Sequence, residues 1–375
     1  MPHPTDRYED DDLDDLPDTH PPQPVRYAEQ ALLGALLLDP HRLAEIGSLD
    51  AEHFSNYTHG TLFAAMRTVP PPDPEQHRTG PAWLNTVLNA ACPEVPGLTA
   101  SYLHTLIQLC PWPKHAATYA RIIRADHARR MLAAHAERLA QAATDATLPN
   151  PAATTLAQAD TLARFLEGLA GQFAPHPGSL PRTPLPTPPP RDTSEEALDE
   201  ERFLLASATA HPAELKEMRW LLPEDFALPL HGALWQCLTA LTHRGEPVDS
   251  VTVVWEAQHR GLLNTVAPAD LMTLVSTPVG SPEYWGEKVI ERALLARAHA
   301  IATRITAYTD DPANTPHQMI TGSRRALADL HALRARRQQA ASPTRQPIPR
   351  RARTPSDPRA GPPPRTAAPP VRATR

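Results

Sequence analysis

The chain states one pattern twice. Glu29-Gln30-Ala31-Leu32-Leu33-Gly34 is followed by Asp39-Pro40, Phe54 and His59-Gly60-Thr61-Leu62-Phe63. Glu201-Arg202-Phe203-Leu204-Leu205-Ala206 is followed by His211-Pro212, Phe226 and His231-Gly232-Ala233-Leu234-Trp235. Each counterpart lies 172 residues further on: 201 against 29, 212 against 40, 226 against 54, 231 against 59. An ungapped match of this span implies two copies of one fold. A residue present in one copy only is then a poor candidate for a shared role.

Length agrees with that reading, since 375 residues suit two domains. The 45 prolines cluster at 17–24, 70–74, 175–190 and 343–370, and so mark tails and linkers. Net charge is −6 but unevenly placed. The first residues carry Glu9-Asp10-Asp11-Asp12 and Asp14-Asp15; the last carry Arg345, Arg350, Arg351, Arg353, Arg359, Arg365, Arg372 and Arg375, opposed by Asp357. Cys92, Cys110 and Cys237 are too far apart for zinc-ligand spacing and too few for an even disulfide framework. The acidic start is unlike a signal segment. The apolar run from Ala31 to Leu38 is far shorter than the roughly 20 residues of a membrane span. A soluble, cytoplasmic protein without membrane contact is expected.

Periodicity predicts helices throughout. Glu29 to Leu38 is apolar on nearly every side and reads as a buried helix, broken by Asp39-Pro40. Thr58 to Val69 places Leu62, Phe63, Met66 and Val69 on one face. Val69-Pro70-Pro71-Pro72 opens an irregular segment, and helices resume at Thr99 to Leu109 and His115 to Ala143. In the latter, Tyr119, Ile122, Ile123, Leu132 and Leu139 are expected inward, with Arg121, Arg124, Arg129, Arg130 and Arg138 outward. Leu156 to Phe173 is amphipathic; Pro175 to Pro190 reads as an extended spacer. In the second copy Val248 to Gln258 reads as a short helix, and Asn314 to Arg337 as a final one with Met319, Ile320, Leu327, Leu330 and Leu333 on its apolar face.

These motifs resemble the N-terminal domain of replicative DnaB-type DNA helicases. That domain combines an acidic-Gln pair, a Leu-Leu-Gly helix, an Asp-Pro turn, an acidic-Phe pair and a His before an aromatic helix. Glu29-Gln30, Leu32-Leu33-Gly34, Asp39-Pro40, Glu52 with His53-Phe54, and His59 to Phe63 match it; so do Glu201-Arg202, Leu204-Leu205-Ala206, His211-Pro212, Asp225-Phe226 and His231 to Trp235. Arg244-Gly245-Glu246-Pro247-Val248-Asp249 is close to the family's Gly-Glu-Pro-Val-Asp turn, and Tyr119-Ala120-Arg121-Ile122-Ile123-Arg124 to its later pattern. The resemblance implies an all-α fold of two tandem helical bundles of the DnaB-helicase N-terminal type, each with a trailing helix. It also implies partners: the replicative helicase and/or primase, with self-association.

The helicases' RecA-like motor needs a Gly-rich loop ending in Gly-Lys-Ser/Thr. That tripeptide does not occur in this sequence, whose only lysines are Lys114, Lys216 and Lys288. No enzyme activity, cofactor or metal site is therefore expected. His59 and His231 match across the copies, but neither has a matched Cys, Asp or Glu at ligand spacing, so capping or core packing is expected of them. Phe54/Phe226 and Phe63/Trp235 read as core anchors; Trp112, between Pro111 and Pro113, reads as a loop plug rather than a contact point.

The expected organisation is an acidic disordered tail (1–24), a first helical domain (25–145) with trailing helix (152–173), a Pro-rich linker (174–193), a second domain (194–310) with trailing helix (314–340), and an Arg/Pro-rich disordered tail (341–375). The expected function is a non-catalytic, replication-associated interaction protein that binds or mimics replicative helicase or primase. Leu162, Phe165 and Leu169, and Leu327, Leu330 and Leu333, are expected to receive partner helices. The alternative is a DNA-binding accessory factor that dimerises through the bundles and contacts phosphates through Arg345, Arg350, Arg351 and Arg353. The acidic head would then compete with nucleic acid for that tail.

Overall fold

The computed structural model describes residues 24–173, 179–264 and 266–341. All regular structure among them is helical. The first copy comprises α1 (Pro24–Leu38), α2 (Tyr57–Thr68), α3 (Pro74–Thr79), α4 (Ala82–Ala91), α5 (Ala100–Gln108) and the long α6 (Ala116–Thr144), followed by α7 (Pro151–Gln172). The second comprises α8 (Glu195–Ala210), α9 (Pro229–Arg244), α10 (Ser250–His259), α11 (Pro268–Leu274) and the long α12 (Pro282–Asp310), followed by α13 (Pro316–Ala340). The segment after Pro72, expected to be irregular, contains α3 and α4. Asp73 accepts hydrogen bonds from the Glu75 and Gln76 amides and so caps α3, and α4 buries Trp83, Val87 and Ala91.

Local chemistry sets the helix starts. Side-chain oxygens of Asn56, Thr99, Asn150, Ser194, Asp249 and Thr315 accept from amides in the first turns of α2, α5, α7, α8, α10 and α13. Pro151, Pro229, Pro268, Pro282 and Pro316 open α7, α9, α11, α12 and α13, where a missing N–H costs nothing. Prolines therefore also punctuate the folded part. Gly245, at φ +72, ends α9 in the left-handed conformation, and the Glu246 amide reaches back to the Leu241 carbonyl. Asp249 then caps α10. The Gly-Glu-Pro-Val-Asp-like turn is thus a helix stop and a helix start four residues apart.

The long helices organise the rest. α6 and α12 are both 29 residues, and α12 begins 166 residues after α6. They pack along each other; α7 folds back on α6 and α13 on α12, so the two hairpins form one four-helix bundle. Ala128, Leu132, Ala136 and Leu139 of α6 are buried there beside their counterparts Leu294, Ala298, Ala302 and Ile305 of α12. Ala116, Ala120 and Ile123, at the other end of α6, belong instead to the first copy's own core with Leu32, Leu36, Leu62, Phe63 and Leu106. The two cores therefore divide partway along α6. Ile122, expected inward, is exposed.

One arginine joins the copies at a helix end. The Arg129 guanidinium, on α6, donates to the carbonyls of Thr309 (2.7 Å) in the last turn of α12, Asp311 (2.8 Å) at its end and Asn314 (2.6 Å) in the turn that leads to α13. The first two belong to the negative end of the α12 dipole, where carbonyls lack a partner within the helix. The described part of the Pro-rich linker lies on the same turn. Gln318 donates to the Leu180 carbonyl, the Arg182 amide to Asn314 Oδ1, and the Thr183 hydroxyl to Asp311 Oδ2. Arg129→Ala should cost about 2 kcal/mol, because three carbonyls lose a charged donor. In urea denaturation the exposed Arg121→Ala should stay within about 0.5 kcal/mol of the parent; equal effects of the two changes would remove the cap from the account.

Candidate functional site

The residues shared by both copies meet around one buried pair in each. In the first copy Glu29 projects from α1 and His59 from the first turn of α2, and both side chains are 0% exposed. His59 Nδ1 lies 2.7 Å from Glu29 Oε2, and the Ser55 amide donates to Glu29 Oε1 at 2.5 Å. A carboxylate only accepts, so Nδ1 carries a proton and donates. His59 Nε2 faces the Tyr102 hydroxyl at 2.8 Å. In the second copy His231 Nδ1 lies 2.6 Å from Glu201 Oε2, and the Ala227 amide donates to Glu201. The partner of each histidine is thus an acid 30 residues earlier in both copies. Sequence reasoning missed this pairing because it sought partners at ligand spacing, although Glu29/Glu201 and His59/His231 both stood in the repeat.

The pair ties the first helix to the turn before the next one. Burial pushes the Glu29 carboxyl up, but the hydrogen bonds from His59 and from the Ser55 amide outweigh it and leave Glu29 below the usual carboxylate range. Gly60 and Gly232 follow the histidines because a Cβ there would collide with the Ala51 or Pro223 carbonyl oxygen. Phe54 stacks near Phe63 (centroids 5.0 Å apart) and Phe226 near Trp235 (5.9 Å), as expected of core anchors. With no exposed edge, the Glu–His pair cannot reach a substrate, and its chemistry is that of a buried brace. Among the described residues no group of three or more His, Cys, Asp or Glu is placed to hold a metal ion.

The residues expected to receive partner helices find their partners inside the chain. Leu162 and Leu169 of α7 and Leu327, Leu330 and Leu333 of α13 are buried in the common core. Phe165 is half-buried, its ring 4.5 Å from that of His135 on α6. An outside helix could reach these stripes only if the hairpins opened. Trp112, expected to plug its loop, is 64% exposed and stands clear of the core. Arg345, Arg350, Arg351 and Arg353, with the acidic residues before Pro24, lie outside the described residues.

Two segments, 20–125 and 193–289, match the family model described as "DnaB-like helicase N terminal domain". The chain belongs to that family. The segments contain the two Glu–His pairs and end within the first half of α6 and of α12. Among individual proteins, the chain is similar to "Replicative DNA helicase DnaB" of Mycobacterium leprae (strain TN), 39% identical over 87 residues, which are 22% of this chain and 14% of the relative. It is also similar to "Replicative DNA helicase DnaC" of Bacillus subtilis (strain 168), 32% identical over 121 residues, 32% of this chain and 26% of the relative. The matched part thus spans about a quarter or less of these relatives' length. The match is to the helicases' N-terminal domain and not to their ATPase domain. No solved structure matches significantly. No described helix is long and apolar enough to cross a membrane. Membership in this family supports a replication-related role.

Glu29→Ala should cost about 3 kcal/mol near neutral pH, because it leaves a buried histidine without its acceptor. The folded-state pKa of Glu29 is lowered, so its stabilisation is complete above the ordinary carboxylate range and is lost as pH falls through the lowered value. The gap between parent and variant in urea unfolding should therefore be widest near neutrality and narrow in acid. A gap independent of pH would mean that the carboxylate charge contributes nothing.

Proposed function

We propose that this protein is a non-catalytic partner of the replication machinery that presents a paired helicase collar within one chain and through it binds replicative helicase or primase. The observation that carries this reading is the packing of α6 against α12. It couples two domains of the helicase N-terminal family through hairpins belonging to the same polypeptide. Pairing between separate subunits depends on concentration; fused copies pair at an effective concentration set by their connection. The chain thereby offers two related bundle surfaces in fixed relation, and it carries them without the motor's phosphate loop in its sequence. Family membership supports the choice of partners.

Co-purification with the host's replicative helicase and with its primase tests the proposal, using the full chain and a form lacking residues 342–375. A defined complex with either protein that survives loss of the tail is expected. Absence of any complex, with DNA retention that needs the tail and falls steeply with salt, would overturn it in favour of the DNA-binding accessory factor.

A further inference from the structure

The second copy shows a proline-containing strap seated on its long helix. Leu185 to Pro189 lie along Arg297, Ala300, Ile301 and Arg304 of α12. Pro188 and Pro189 continue over Ala293 and Ala296, enclosing a cavity of about 200 Å³. The strap is fixed at its end: Asp192 pairs with Arg292 of α12 at 2.5 Å, and Arg191 donates to the Phe226 carbonyl. It then enters α8 through the Ser194 cap.

The first copy has the counterpart of this seat, met at its N-terminal end by His53, whose ring lies 4.5 Å from that of His127 and whose carbonyl accepts from Arg130 at 2.8 Å. The counterparts on α6 of Ala293, Ala296, Arg297, Ala300 and Arg304 are His127, Arg130, Met131, Ala134 and Arg138, 166 residues earlier. None of them is fully buried. Two polar groups of this face have no hydrogen bond or ion pair among the described residues. His127 Nδ1 is buried without a hydrogen bond, and Arg138 is exposed without an ion pair. The segment that enters α1, as the strap enters α8, is residues 1–23. The offset of 172 carries into it: Leu13 matches Leu185, Pro17 matches Pro189, and His20 matches Asp192. Arg292, which holds Asp192, corresponds to Asp126, so the register that pairs Asp192 with Arg292 sets His20 against Asp126 in the sequence. Asp126 Oδ2 binds Arg130, which leaves Oδ1 open. Asp14 and Asp15 fall in register with Pro186 and Thr187, beside the position of Arg304, and hence beside the unpaired Arg138.

We propose that residues 8–20 dock along α6 between Asp126 and Arg138, as residues 180–192 dock along α12. The two segments are of equal length, so the reach is sufficient. This inference stands apart from the choice of helicase or primase as partner. It gives the acidic head a seat on the first copy, in place of the arginine tail.

A photo-crosslinking side chain placed at residue 16 of the full chain tests it, with the same probe at residue 188 as the control. The control should crosslink to α12 around residues 293–300. The probe at residue 16 should crosslink to α6 within residues 126–138, and Asp126→Arg together with Arg138→Glu should reduce that yield at least fivefold. Crosslinks from residue 16 to residues 342–375, to another surface, or to nothing while the control succeeds would each overturn the proposal.

Discussion

Everything else in this molecule depends on the contact between α6 and α12. Neither helix is complete alone. The N-terminal part of α6 closes the first copy's core through Ala116, Ala120 and Ile123, and its remainder runs into a core that it shares with the second copy. A 29-residue helix with an apolar stripe on its far half must bury that stripe. The available partner is a helix of the same length with matching small and branched residues, reached through α7 and the proline strap. Ala128, Leu132, Ala136 and Leu139 of α6 and Leu294, Ala298, Ala302 and Ile305 of α12 are all buried in that shared core. Arg129 then binds three carbonyls, two at the end of α12 and one in the turn to α13.

The Glu–His braces perform a smaller task twice. Each joins the first helix of a copy to the chain that enters the second, across 30 residues. A buried charge is costly unless it is both paired and hydrogen-bonded, and here the backbone amides of Ser55 and Ala227 complete the acceptor set. The same pairs mark the family match. A motif first noticed as a string of letters is therefore a set of contacts: acid, histidine, the glycine that admits a carbonyl, and the aromatic pair beneath.

Much of the fold was legible because its signals are local. The apolar helix of Leu32 to Leu37, the helix that begins at Thr99 and the turn from Gly245 to Asp249 are set within a few residues and can be read in order. Other parts were not. α3 and α4 were hidden behind the proline cluster at 70–74, since a proline that begins a helix, as Pro74 does, looks like one that prevents it. Ile122 reads as an inward residue by periodicity, yet the helix turns it outward where no neighbour comes to cover it. The leucine stripes of α7 and α13 announced that they would be covered, but a stripe does not name its cover; inside and outside partners satisfy it equally.

The sequence by itself determined that the chain is helical, that one unit occurs twice, and which residues both units share, because helix periodicity, capping and a constant offset are properties of neighbouring letters. Only the tertiary structure decided that Glu29 belongs to His59 and Glu201 to His231, that the two trailing hairpins cover each other, and that an arginine of one copy caps a helix of the other. Those choices rest on distances between residues 30 to 185 positions apart. They are settled by which apolar faces can be buried together, and no local pattern records that.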